Sequence, residues 1–266
     1  MYPKLISFGS FFIPTYGVLV ALGFLLALTV TIRLARRSGL PSEKVVNLAV
    51  YCAMAGIIGA KLFMFLFDLP TYLQNPGEIF TLETLQAAGV FHGGLIVALM
   101  FAVWYIRKES LPLFATMDCF APGIALGQAI GRLGCFAAGC CWGKECNLPW
   151  GVRFRSDFAA PEPLDKTLHP AQLYESAADL LIFAFLYRRF QSSSTKKGEI
   201  IGLYLVLYSI ARFIIEFFRE HEQSLVGPFS LTQWIALGLL VVGVAFLRRS
   251  RTSAGLHAAQ PQRTTA

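Results

Sequence analysis

Seven apolar runs, near residues 11–34, 45–67, 89–106, 117–138, 171–187, 200–218 and 228–247, leave this chain few ways to fold. A helix needs about 20 residues to cross the hydrocarbon of a bilayer. In that medium every backbone N–H and C=O must find a partner within the chain, so runs of this length become helices. The composition agrees: 55% of the residues are hydrophobic and 15% are charged, and the mean hydropathy is +0.57, far from a soluble domain. The expectation is an all-α integral membrane protein, a bundle of seven transmembrane helices formed by residues 1–249. Residues 250–266 read as a disordered cytoplasmic tail. The first run is too long, and lacks the small-residue cleavage site, to be a removable signal peptide. No internal repeat is evident, which argues against a two-fold transporter.

Basic residues set the expected orientation, because cytoplasmic connections retain Lys and Arg. Arg33, Arg36, Arg37 and Lys44 follow the first run; Arg107 and Lys108 follow the third; Arg188, Arg189, Lys196 and Lys197 follow the fifth; Arg248, Arg249, Arg251 and Arg263 follow the seventh. The connection from Asp68 to Ala88 has no Lys or Arg at all. The N-terminus is therefore expected outside and the C-terminus inside. The net charge of +7 is a topology signal, and no nucleic-acid partner is invoked.

Charged groups inside such runs are costly, at least ~2.5–3.5 kcal/mol each at the bilayer centre, so they mark function by default. With odd runs passing inward and even runs outward, Tyr16, Lys61, His92, Arg132, Arg212, Glu216 and Arg219 fall in the outer half of the membrane. In the sixth run Tyr208, Arg212, Glu216 and Arg219 are spaced to share one helix face, an Arg-Glu-Arg ladder. A structural ion-pair network would explain that stripe alone. Lys61, Arg132 and Arg212 add more positive than negative charge at one depth, which points to an external anion such as a phospholipid phosphate. His92 suits a proton acceptor. Gly93 and Gly94, directly after it, are harder to assign to helix packing than Gly127 and Gly131, which form a G-x-x-x-G. His169 reads as structural, and His221 and His257 carry no assignment.

The segments Phe91-His-Gly-Gly94, Gly131-Arg-Leu-Gly134, His169-Pro-Ala-Gln-Leu-Tyr-Glu175 and Arg212-Phe-Ile-Ile-Glu-Phe-Phe-Arg219, with Tyr16-Gly17, resemble bacterial prolipoprotein diacylglyceryl transferases. The similarity runs in unchanged order from about residue 15 to Gln233. It implies a seven-span inner-membrane enzyme that moves the diacylglyceryl group of phosphatidylglycerol onto the lipobox cysteine of prolipoproteins, releasing glycerol phosphate. On this resemblance Arg132 binds phosphatidylglycerol, and His92 and Arg212 are essential. Catalytic roles are thus expected for His92, Arg212 and Tyr208. Substrate contacts are expected from Arg132, Lys61, Tyr16, Gly93, Gly94, Glu216, Arg219, Gln172 and Tyr174. No metal or organic cofactor is implied. A single site in one bundle needs no oligomer, so a monomer is expected.

Two departures stand out. Family members typically carry Asn and Glu where this chain has Cys135 and Cys140, and a further Asn where it has Ala138. They carry Arg where it has Lys61, which keeps the charge but loses the bidentate fork. Cys135, Cys140, Cys141 and Cys146 form C-x4-C-C-x4-C. On an oxidising external face a disulfide is the leading expectation, from Cys140 or Cys141 to Cys135 or Cys146. The spacing matches no common zinc pattern and no His stands near. Two competing functions follow: a membrane thiol oxidoreductase using this cluster, or a non-catalytic lipid-binding relative.

Overall fold

A computed structural model describes residues 4–8, 11–81, 84, 89–154, 166–192, 195–220 and 228–258. Each of the seven apolar runs forms a helix of 18 residues or more: α1 (Thr15–Arg37), α2 (Ser42–Phe67), α4 (Phe91–Lys108), α5 (Leu113–Ala138), α6 (Ala171–Phe190), α7 (Glu199–Glu216) and α8 (Leu231–Ala258). A short helix α3 (Leu69–Gln74) and a 3-10 turn (Pro76–Phe80) follow α2. Among the described residues, α1, α2, α5 and α8 are long and apolar enough to cross a membrane by length and composition.

The first run departs from expectation at its start. Residues 11–14 are not helical: β1 (Lys4–Phe8) pairs antiparallel with β2 (Phe11–Pro14), Ile6 opposite Ile13 and Phe8 opposite Phe11. Pro14 disfavours helix at Ile13, and aromatic and β-branched side chains suit a strand, so α1 begins only at Thr15. At the other end, α8 runs past Ser250 to Ala258, while 259–266 lie outside the described residues.

The chain divides into two compact units, Ala35–Thr116 and a second made of Met1–Leu34 with Met117–Ala266. In the first, α2 packs on α4 through glycines. A Cβ on Gly94 would lie 2.6 Å from the Gly56 carbonyl oxygen, one on Gly59 would lie 2.6 Å from Val97 Cβ, and one on Gly93 would strike the Phe63 side chain. Missing side chains thus let two backbones touch, the contact favoured where lipid gives helices no hydrophobic drive to associate.

In the second unit, Ala121 and Ala125 of α5, Ile182 and Leu186 of α6, and Ile200, Ile201 and Tyr204 of α7 form one buried cluster. Asp118 of α5 reaches across to the start of α7, accepting the Gly198 N–H at 2.6 Å and the Ile201 N–H at 2.9 Å. A carboxylate from a neighbouring helix thereby satisfies donors that α7 cannot satisfy itself. Gly127 packs against Ala27 of α1, as expected, whereas nothing lies within 4 Å of a Cβ placed on Gly131.

Candidate active site

Glu175, in the second turn of α6, is the hub of the second unit. Its Oε2 lies 2.5 Å from Arg132 Nε of α5. Its Oε1 accepts from Arg212 Nη1 of α7 at 2.9 Å and from Arg219 Nη1 at 2.7 Å. Arg212 also pairs with Glu216 one helical turn on, Nη2 to Oε2 at 3.1 Å, and Glu216 Oε1 accepts the Ser230 hydroxyl at 2.9 Å. The carboxylate side chain of Glu175 is 6% exposed and that of Glu216 is 1% exposed, so these are charge-assisted bonds shielded from water.

This arrangement corrects two expectations. Arg132 and Arg212 are not short of counter-charge, because Glu175 supplies it. The ladder in the sixth run also breaks: α7 ends at Glu216, and Arg219 lies beyond it, bridged to Gly143 and pairing with Glu175 rather than Glu216. Glu175 and Asp179 were missing from the expected site. Both are buried, and Asp179 lies within electrostatic reach of Glu175, Arg132 and Arg212. Their signal was present, two carboxylates four residues apart in an otherwise apolar run.

Donors remain after these pairings. Arg219 Nε is buried with no acceptor among the described residues. The Arg132 side chain is 27% exposed, twice the 13% of Arg212 and Arg219, so the cluster opens on the Arg132 side. Tyr16 of α1 stands at that end. Its ring lies against Gly134, with Cδ2 3.2 Å from where a Cβ would be, and it is within electrostatic reach of Arg132. The Tyr208 ring stacks on that of Tyr204, centroids 5.7 Å apart, and the Tyr204 hydroxyl donates to Gln128 at 2.7 Å.

The strap after α5 carries the remaining predicted groups of this unit. Gly143 N–H donates to the His169 carbonyl at 2.9 Å and Lys144 N–H to the Phe218 carbonyl at 2.8 Å. Fully buried Gln172 donates Nε2 to the Cys140 carbonyl at 2.6 Å. The Tyr174 hydroxyl accepts from Trp150 Nε1 at 2.9 Å and stands 3.2 Å from His169 Nδ1. Gln172 and Tyr174 thus brace the strap. All six cysteines are free thiols, so the expected disulfide is not formed. Hydrogen bonding with the Cys135 and Cys140 thiols, aided by Arg219 and Arg132, pushes the Cys141 thiol well below its ordinary range.

The other predicted residues belong to the Ala35–Thr116 unit. Lys61 Nζ donates to the Thr84 carbonyl at 2.6 Å. His92 is exposed at the second position of α4. Gly93 and Gly94 are buried against α2, so packing does account for them, contrary to the expectation from sequence.

Comparison with known proteins agrees along nearly the whole chain. The family model for prolipoprotein diacylglyceryl transferase matches residues 3–249. A relative in Clostridium tetani, named phosphatidylglycerol–prolipoprotein diacylglyceryl transferase, is 33% identical over 244 residues, covering 92% of this chain and 96% of the relative. One of the same name in Polynucleobacter asymbioticus is 34% identical over 259 residues, covering 94% and 96%. With this match spanning the helices that carry Arg132, Glu175 and Arg212, the chain belongs to the prolipoprotein diacylglyceryl transferase family.

Proposed function

We propose that this chain is a diacylglyceryl transferase of the bacterial inner membrane, acting on phosphatidylglycerol and the lipobox cysteine of prolipoproteins. All seven long helices span the bilayer, with the N-terminus outside, the C-terminus in the cytoplasm, and the protein working as a monomer. The observation that carries the reading is the guanidinium cluster around Glu175, with a buried Arg219 Nε that lacks an acceptor among the described residues. A dianionic or monoanionic phosphate is the ligand such a cluster recognises, since each guanidinium keeps N–H donors beyond those used on the carboxylates.

In the reaction, the acceptor thiol loses its proton, for which His92 is the base. The thiolate sulfur then attacks the glyceryl carbon bonded to phosphate. The C–S bond forms as the C–O bond breaks, and the electron pair leaves on the phosphate oxygen of glycerol phosphate. Arg132 and Arg212 hold that phosphate and stabilise the charge developing on the leaving oxygen. Tyr16 and Tyr208 complete the headgroup environment.

Purified protein assayed with phosphatidylglycerol and a lipobox peptide tests this. Loss of one charge-assisted contact costs about 1.5–3 kcal/mol, so Arg132→Ala and Arg212→Ala each lower kcat/KM by about 10- to 150-fold. Arg132→Lys fails as well, because an ammonium lacks the planar fork. Near-normal turnover by Arg132→Ala refutes the assignment.

A further inference from the structure

The end of α5 is built so that three thiols meet. Gly139 takes φ +74°, its N–H donates to the Phe136 carbonyl at 3.1 Å, and the Cys140 N–H donates to the Cys135 carbonyl at 3.1 Å. This pair of bonds is the Schellman closure, which folds the residue after the left-handed position back over the last helical turn. Cys140 therefore returns onto Cys135. Cys141 then takes φ +64°, a region that residues with a Cβ enter only where their surroundings demand it. The Cys140 and Cys141 sulfurs stand 3.7 Å apart, and the sulfurs of Cys135, Cys140 and Cys141 all lie within 4.8 Å of one another. Gln172 pins the Cys140 carbonyl from α6.

We propose that Cys135, Cys140 and Cys141 form a three-thiolate site for a thiophilic d10 cation, Zn²⁺ or Cu⁺, whose remaining coordination position receives the acceptor thiol. The second half of this statement rests on the transferase reading; the first does not. With Zn–S bonds of about 2.3 Å, tetrahedral geometry spaces sulfurs about 3.8 Å apart. The Cys140–Cys141 pair is already there, and the others need close by no more than about 1 Å. A disulfide would use two of the three thiols and leave the third without a role. Charge also fits. Three thiolates outweigh either cation, and Arg132 and Arg219, both within electrostatic reach of Cys141, offset the excess. Cys146 stands apart, buried, with its N–H on the Thr167 carbonyl at 2.9 Å.

Three protein ligands with one position left over is the pattern of catalytic rather than structural zinc sites. A thiol that coordinates the cation gives up its proton to the base of the transferase step and binds as thiolate. Its sulfur keeps a lone pair for the glyceryl carbon, and the metal changes no oxidation state.

The test is a cobalt titration of the detergent-solubilised full chain, stripped with chelator under anaerobic reducing conditions, followed by competition with Zn²⁺ and, in a separate arm, by Cu⁺. The expected result is one equivalent bound with a sulfur-to-cobalt charge-transfer band. Affinity falls more than about 100-fold in Cys135→Ser, Cys140→Ser and Cys141→Ser, since even outer partners of a metal ligand are worth about 10- to 100-fold. Cys146→Ser binds as the parent does, and circular dichroism confirms that each variant is folded. Binding that survives in the three variants, absence of binding by both cations, or a disulfide mapped among the three in protein isolated without added oxidant overturns the site. A lipobox peptide should then shift the cobalt d–d bands while its Cys→Ser counterpart does not; an unchanged spectrum refutes the acceptor's place on the metal. The titration needs no turnover, so it succeeds or fails independently of the transferase assay.

Discussion

Arg219, three residues past the end of α7, reaches Oε1 of Glu175 on α6 at 2.7 Å. Because Arg132 and Arg212 bind the same carboxylate, removing Glu175 leaves three partly buried cations to repel one another. Breaking a buried pair by deleting one partner costs about 3–5 kcal/mol. Glu175→Ala should therefore lower the unfolding temperature in detergent far more than Arg132→Ala, and Glu175→Gln, which keeps an acceptor, should fall between. Equal melting of Glu175→Ala and parent would show the cluster to be solvated.

Asp118 gives a variant that separates stability from catalysis. Its carboxylate satisfies the Gly198 and Ile201 N–H groups at the start of α7. Loss of a capping oxygen costs about 0.5–2 kcal/mol, so Asp118→Ala should unfold earlier, and Asp118→Asn should retain part of the cap. Protein that remains folded should keep its KM for phosphatidylglycerol, because no phosphate-binding arginine is displaced. A raised KM in the folded fraction contradicts this.

Gly94→Ala should destabilise through overpacking, since its Cβ would sit 2.6 Å from the Gly56 carbonyl, a backbone atom that cannot swing aside. The expected cost is about 1–3 kcal/mol. Gly131→Ala, inside a helix and with nothing within 4 Å of the new Cβ, should not lower the melting temperature, since Ala is the better helix former. Similar losses in both would mean that the contact with the Gly56 carbonyl is not what decides.

His92→Ala tests the proposed base. A free thiol ionises near pH 8.5, so at neutral pH the variant must wait for the rare thiolate, and the deficit should shrink as pH rises toward that value. An unaffected variant at neutral pH, or one equally inactive across the range, removes His92 from that role.

Much of the fold was legible because the solvent dictates it. Apolar runs of about 20 residues favour helix over strand, and all seven formed one. The start of α1 was mislaid by four residues because hydropathy does not distinguish a Phe-Phe-Ile-Pro strand from the helix that follows it. Arg132, Arg212 and Glu216 stood out from charge in apolar sequence alone, and the structure gathers them into one ion-pair cluster. What sequence spacing could not reach was the partner of each charge. Glu175 lies 43 residues from Arg132 and 44 from Arg219, and only the packing of α5, α6 and α7 brings the three together. The cysteines teach the same point at shorter range. C-x4-C-C resembles no metal motif when counted along a chain, yet a left-handed glycine folds C-x4-C back on itself. Sequence determined which runs become helices and which chemistry they carry; tertiary structure decided which charges are paired and which thiols meet, because pairing depends on distances that helix packing and turn closure set.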